Sequence, residues 1–363
     1  MKIRLCTDEQ AWNCAALRLA APIYHSWERG ELAQADGWAP WRIVAEQNGS
    51  PVAVVHLLQK RLPFSSESIF YGVRGITGDQ SDPQAVQEIA AWLRNLMRRE
   101  RGFLLRMDPE FPDTDPREKG TLIYAGFSNI PDQWSFWNLS RSTMILDISR
   151  PAEEILQGMR KTHRRLIRKA ERDRMEIEQG VTPAHLRDFY GLVAKSSERQ
   201  GFAIRGIEHF ERVREIFLLN GKGTLFIARK QGKPAASSLA LAFGSTCLYL
   251  HGGFDPEVRM QGAAETLHWR VIQWAKSRGC TRYDLQGSGT KYPPQEGNRG
   301  FGLYHFKKGL GAELIYSAGY FELVRGSVRY AMLRFLEQNP TVIDAALKLR
   351  SMLRPKSRHA GRR

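Results

Sequence analysis

Twice along the chain, apolar segments succeed one another in the same order, and that order limits the fold more than any other feature. In the first pass, helical spacing over residues 8–19 precedes two apolar runs, 41–46 and 52–59, joined by Gln47-Asn48-Gly49-Ser50, the pattern of a β-hairpin. A short strand at 68–71 follows, then a helix over 85–100 with Ala, Leu and Trp on one face, then the continuous apolar strand 102–107. That strand stops at Asp108-Pro109, because proline cannot continue a central ladder. After residue 140 the pattern restarts with a strand at 142–147 and a helix over 151–170, whose first turn places Glu153 and Glu154 where they suit the helix dipole. A strand at 175–179, helices at 183–200 and 209–219, three Gly-linked strands (223–229, 234–243, 246–252), a helix over 263–278 and a strand at 282–286 complete the second pass. Residues 313–323 read as a further strand, 328–337 and 341–353 as amphipathic helices, and 354–363 as a disordered basic end. The class is α/β (α+β), with two units and no low-complexity linker between them, so a substantial shared interface is expected.

A length of 363 residues fits two domains, and the apolar content is ordinary for a folded protein. No apolar run approaches a membrane span, and the N-terminus lacks a secretory h-region, so a cytoplasmic protein is expected. Cys6, Cys14, Cys247 and Cys280 lie far apart and form no CxxC, so reduced thiols are expected and no metal or other cofactor. The formal charge of +16 points to a polyanionic partner. It is concentrated: residues 160–174 hold eight Lys/Arg against two acids, and 325–363 hold ten against two.

Four segments and one acid could carry chemistry. The stretch FGLYHFKKGLG (301–311) sets Lys307 and Lys308 among Tyr304, Phe306 and other rings, and a lysine so placed can bind phosphate or steady charge on a carbonyl oxygen. On composition it is equally a solvated loop with core aromatics. In LYLHGG (248–253), Tyr249 and His251 stand two apart on a strand and would share a face. The loop Arg259-Met-Gln-Gly262-Ala-Ala264, before a helix, matches a pattern that cradles a pyrophosphate on a helix N-terminus. In RQGFAIRGIEHF (199–210), Arg205 and His209 would share a helical face. Asp108, at a strand end, could line a cleft or merely cap a turn.

The element order in each half is that of an acyltransferase domain of the GNAT type. The segments taken together resemble the Fem family (FemABX), aminoacyl-tRNA-dependent transferases that extend the stem peptide of peptidoglycan precursors. The matching pieces run in order over about residues 60–325: RLP…IFYGVRG, FLLRMDPE, STMILDIS with PAEEILQGMRKTHRRLIRKAE, RQGFAIR, LYLHGG, WRVIQWAKSRGC with TRYDLQG, GLYHFKKGLGAE and AGYFELV. The resemblance implies two tandem GNAT-like domains, the second inserted before the last strand of the first. The expected spans are 1–149 with 315–335 for precursor binding, 150–314 for the acyl-tRNA side, and 336–363 for a basic C-terminal helix and tail. It also implies catalytic roles for Lys307, preceded by Phe306, and for Asp108, and substrate binding by Arg205, His209, Tyr249, His251, Tyr304, Phe306 and Arg74. Histidine stands at 209 where the family pattern has tyrosine and at 251 as one member of the family's aromatic pair, and a first-domain lysine of the family has only Arg29 near its place.

The partners so implied are aminoacyl-tRNA and a peptidoglycan precursor or other peptide acceptor, handled by a monomer with peripheral contact at the anionic inner face of the membrane. Arg160, Arg164, Arg165, Arg168, Lys169 and Lys308 would hold tRNA phosphates without reading sequence. Two rival readings remain: an acyl-CoA-dependent N-acyltransferase using residues 259–264, and a non-catalytic RNA- or membrane-binding adaptor.

Overall fold

The computed structural model describes residues 1–62, 65–78, 82–130, 141–258, 260–290 and 292–339. The expectations for 341–353 and 354–363 and for Arg259 therefore lie outside the described residues. In chain order the first half comprises β1 (Lys2–Leu5), α1 (Glu9–Arg18), α2 (Trp27–Ala35), β2 (Ala39–Gln47), β3 (Ser50–Arg61), β4 (Ser68–Gly78), α3 (Pro83–Arg99), β5 (Gly102–Met107), α4 (Pro116–Tyr124) and β6 (Ser128–Ile130). The second comprises β7 (Ser142–Asp147), α5 (Ala152–Gly158), α6 (Lys161–Arg172), β8 (Glu176–Gly180), α7 (Pro183–Gln200) and α8 (Ile207–Val213), which a wider turn extends to Leu218. It continues through β9 (Gly223–Lys230), β10 (Lys233–Phe243), β11 (Thr246–Phe254), α9 (Ala263–Ser277), β12 (Arg282–Asp284) and α10 (Phe301–Gly309), then β13 (Glu313–Tyr316), β14 (Tyr320–Val324) and α11 (Ser327–Gln338).

These strands form two seven-stranded mixed sheets, β1-β2-β3-β4-β5-β14-β6 and β13-β7-β12-β11-β10-β9-β8. Local chemistry explains the elements. Asp82 caps α3 by accepting from Gln84 N and Ala85 N, Pro83 opens it, and Val86, Ile89, Ala90, Leu93, Leu96 and Met97 make one buried stripe. That stripe covers the first sheet, while the second sheet is apolar on both faces. One of its two cores also takes in Trp12, Ala16 and Val44 from the first half beside Phe189, Phe210 and Leu248 from the second, so the halves share a continuous apolar interior.

Three expectations change. The single strand at 313–323 is two strands in different sheets: β13 pairs with β7, and β14 crosses back to lie between β5 and β6. The break falls at Gly319, whose φ of +92° suits glycine and whose absent Cβ leaves room for the Arg141 guanidinium. By sheet membership residues 142–147 and 315–316 fall with the second unit, not with the expected first span of 1–149 and 315–335. The helix expected over 151–170 is also two helices, since Met159 and Arg160 are extended and Arg160 N donates to Gly309 O.

The last helix is bolted down by a buried charge cluster. Arg106 of β5, fully buried, donates to Glu322 of β14 at 2.6 Å and to Glu337 of α11 at 2.6 and 3.1 Å, and the Tyr330 hydroxyl donates to Glu322. Each carboxylate has a partner, so the cluster is tolerated; removing one member strands the others out of water. Arg106→Ala should therefore lose about 3–5 kcal/mol of stability, read as a shift in the urea midpoint at unchanged slope.

Candidate active site

The site begins with a fork in the second sheet. Parallel strands β11 and β12 pair only where Thr246–Leu248 meet Arg282–Asp284. Beyond that point β11 stays with β10 alone, across a bulge in which Leu239 opposes His251, Ala240 opposes Tyr249, and Leu250 is the extra residue. Gln286, in the left-handed region at φ +61°, turns the chain away from β11. Its side-chain amide donates to Tyr249 O (2.7 Å) and Leu250 O (2.9 Å), carbonyls that the departing strand leaves unbridged. The gap is a cleft of about 450 Å³ at the carboxyl ends of the parallel pair, where open α/β sheets place ligands.

The segment 301–309, open between loop and reactive element in the sequence, is the helix α10. Its residues Leu303, Phe306 and Lys307 recur at helical spacing and face the cleft together. Tyr304 and Lys308 do not line it; Lys308 lies 5.8 Å above the Tyr304 ring on the outer side. Lys307 is buried, and its ammonium donates to Leu285 O (2.6 Å) and Gly287 O (2.7 Å), the backbone just past β12. Burial pushes its pKa down to about 8, against the opposing pull of Asp284. Two of its three protons are thus fixed, and the third is free for an incoming oxygen in the cleft.

Behind Phe306 stands a stack of rings. His268 of α9 lies 5.5 Å from Phe306 and 4.8 Å from Tyr249, with Nδ1 2.8 Å from the Tyr283 hydroxyl. Burial lowers His268 to about 3 and His251 to about 4, so both rings are neutral at physiological pH. Tyr249 and His251 both border the cleft but do not share a face. The bulge at Leu250 breaks the alternation, so Tyr249 packs toward His268 while His251 packs edge-on against Phe210 on the other side.

Asp108 does not border this cleft; it anchors a second cluster at the carboxyl end of β5 in the first sheet. Its Oδ1 accepts from the Tyr71 hydroxyl (2.8 Å) and from Arg74 N (2.9 Å), and Oδ2 lies 3.6 Å from the Arg74 guanidinium. Burial raises the Asp108 pKa, and Arg74 opposes the rise. Arg74 lies 4.9 Å above the Tyr24 ring and feels Asp108, Glu110 and Asp284. Arg205 precedes α8 rather than riding on it, so it shares no helical face with His209; the two instead approach Asp36 at the end of α2, at 3.2 and 3.7 Å. Arg29 completes the seam: burial lowers its pKa, and it lies within electrostatic reach of Tyr24, Tyr71, Asp36 and Arg205.

Three contributors were missed in the sequence, and a fourth, Arg29, was noted only as the cation near the place of a family lysine. Asp284, close to Lys307, Arg74 and Glu110, joins the two clusters, and Thr143 donates to it at 2.7 Å. It stands at a strand end, the criterion that singled out Asp108. His268 and Gln286 carried no signal, since a histidine on an apolar helix face and a glutamine after a strand are ordinary.

The basic helix α6 packs beside α10. His163 lies 5.2 Å from Phe306, and a Cβ on Gly309 would come within 2.6 Å of the His163 ring. Arg165, Arg168 and Lys169 are exposed, Arg168 lying 3.5 Å from Glu153 and Lys169 paired with Asp173. Arg164 instead caps the carbonyls of Gln157 and Met159, and Arg160 bonds His305 at 2.9 Å. At the start of α9, Gly262 (φ +83°) opens the helix as the phosphate-loop pattern requires. However, the adjoining hollow is bordered by Asp255 and Glu265, so a pyrophosphate there would meet two carboxylates.

Two mixed sheets, with a forked parallel pair in the second and a match to the acetyltransferase (GNAT) domain over residues 157–307, define an acyltransferase of the GNAT fold. The FemAB family matches residues 20–229, more than half of the chain, and the protein belongs to that family. It is similar to the lipid II:glycine glycyltransferases of Staphylococcus epidermidis (20% identical over 385 residues, 88% of this chain and 91% of that protein) and Staphylococcus aureus (22% over 400 residues, 90% and 93%). Among solved structures, FemX superposes with a TM-score of 0.82 at 19% identity, covering 93% of this chain and 100% of that one. A tandem GNAT protein of clavulanic acid biosynthesis superposes at 0.53 with 11% identity, covering 90% and 99%.

A lysine whose pKa is lower folded than unfolded makes stability rise with pH, because the unfolded chain holds more protons above the folded pKa. The window here runs from about 8 up to the ordinary lysine value. Relative to Lys307→Met, the wild-type protein should gain up to about 3 kcal/mol between pH 7 and pH 10, measured by urea unfolding at each pH.

Proposed function

We propose that the protein transfers an amino acid from aminoacyl-tRNA to an amine of a peptidoglycan precursor stem peptide or a related peptide acceptor. The observation that carries this reading is the buried lysine, Lys307, held by two carbonyls at the mouth of the forked cleft. Similar proteins that span most of the chain are named lipid II:glycine glycyltransferases, which supports the acceptor class.

In the reaction the acceptor amine attacks the ester carbonyl carbon, a C–N bond forms, and the C–O bond to the tRNA ribose breaks. The proton lost by the amine passes to the departing ribose oxygen. Lys307 directs its remaining N–H at the developing oxyanion, where a fixed charge in a dry site is worth most. Phe306, Tyr249 and His268 wall the cleft around the aminoacyl end. The exposed cations of α6, with Arg160 and Lys308 beside α10, receive the tRNA backbone, so binding should weaken steeply with salt. The acceptor lies along the seam of Arg29, Arg74, Arg205 and His209, whose guanidinium groups suit phosphate oxygens. Asp108 acts there by holding Arg74 in place on the seam. The first sheet, with β14, is the acceptor side and the second the donor side.

An acyl-CoA donor is the weaker reading because of Asp255 and Glu265. Purified protein offered charged tRNA or acetyl-CoA separately should consume only the tRNA. Lys307→Ala should slow single-turnover transfer by about 100-fold or more, the usual loss when one oxyanion donor is removed. Unaltered transfer by that variant, or consumption of acetyl-CoA alone, overturns the reading.

A further inference from the structure

The described chain ends in a helix with the wrong face toward water. In α11, Val328, Met332 and Phe335 form one stripe at helical spacing and are 81%, 66% and 57% exposed, and Val324 just before it is 41% exposed. The opposite face of the same helix is spent on the buried cluster of Arg106, Glu322 and Glu337, so the stripe cannot turn inward without breaking that cluster. Three large apolar side chains in a row on a docked helix are unlike scattered surface residues and mark a contact surface.

The surroundings of the stripe say what covers it. Arg325, at the foot of α11, donates to Met97 O and Arg98 O, which brings the exposed end of α3 alongside. That end carries Arg98, Arg99 and Arg101, all exposed. The chain beyond α11, residues 340–363, adds seven Lys/Arg against Asp344 alone. An apolar stripe rimmed by arginines and followed by a basic tail has the chemistry of an interfacial helix on an anionic bilayer, with apolar side chains entering the acyl boundary and cations meeting the headgroups. An RNA would use the cations and leave the aliphatic stripe wet. We infer that the outer face of α11, with the arginines at the end of α3, docks the protein peripherally on a membrane rich in anionic lipid. The inference stands on this face alone and does not depend on which acceptor or donor the cleft takes.

The test is co-sedimentation of the full-length protein with vesicles of phosphatidylcholine, with or without phosphatidylglycerol. Wild-type protein should sediment with the phosphatidylglycerol vesicles, less so in high salt, and little with phosphatidylcholine alone. Met332→Glu with Phe335→Glu should weaken that binding about tenfold or more, with an unchanged thermal transition and unchanged transfer to a water-soluble acceptor. Should that pair disturb folding, Val328→Glu, the most exposed position, carries the same expectation. Arg98→Gln with Arg99→Gln should flatten the salt dependence. Failure of the wild type to sediment overturns the inference. So does full vesicle binding by the glutamate variants, which would leave a general polyanion surface that RNA could also use. A wild-type dimer made monomeric by those variants with vesicle binding intact would assign the stripe to a second copy of the chain and overturn it as well.

Discussion

The second sheet depends on one unmade set of hydrogen bonds. A parallel pair that continued past Leu248 would close the space now occupied by the cleft. Two devices hold it open: the extra residue Leu250, which re-aims β11, and Gln286, whose amide takes over two of the freed carbonyls. Buried carbonyls left without donors cost about 1–3 kcal/mol each, so the glutamine makes an open sheet tolerable where a shorter or apolar residue would not. The next carbonyls along the departing backbone, those of Leu285 and Gly287, are then taken by Lys307. The Lys307 ammonium is thus part of the same solution that keeps the fork open, and its position is fixed by the backbone around it.

Away from the fork, the halves meet along a seam in which unlike charges alternate. Asp284 belongs to the second sheet but is felt by Arg74 and Glu110 of the first, and Arg282 lies 3.2 Å from Glu110. Apolar packing of α1 and α2 residues against α7 and α8 keeps that seam in register. With the interior continuous across the halves, a hinge between them would have to open a core, so the geometry between seam and cleft is set by packing rather than by ligand.

Much of this was legible in the residues. Strands such as β5 and β7 and helices such as α7 show because burial on one face imposes a period that composition alone reveals. The return of the chain to the first sheet came from the order of motifs rather than from periodicity. What stayed hidden depends on single residues without local signature. The bulge at Leu250 lies in a run that reads as an unbroken strand, so Tyr249 and His251 could only be placed on one face. The break after Gly158 follows from a tertiary bond, Arg160 N to Gly309 O, that no window of sequence contains. Segment 301–309 mixes glycine, aromatics and lysine so evenly that only packing against His163 and Leu285 decides for helix.

The Arg106 cluster carries a consequence for how this chain can vary. Its outermost member, Glu337, lies next to the last residue of α11. Everything up to that glutamate is tied, through Arg106, to the strand that ends at Asp108. A chain stopped a few residues before Glu337 would leave Arg106 and Glu322 buried with half their partners.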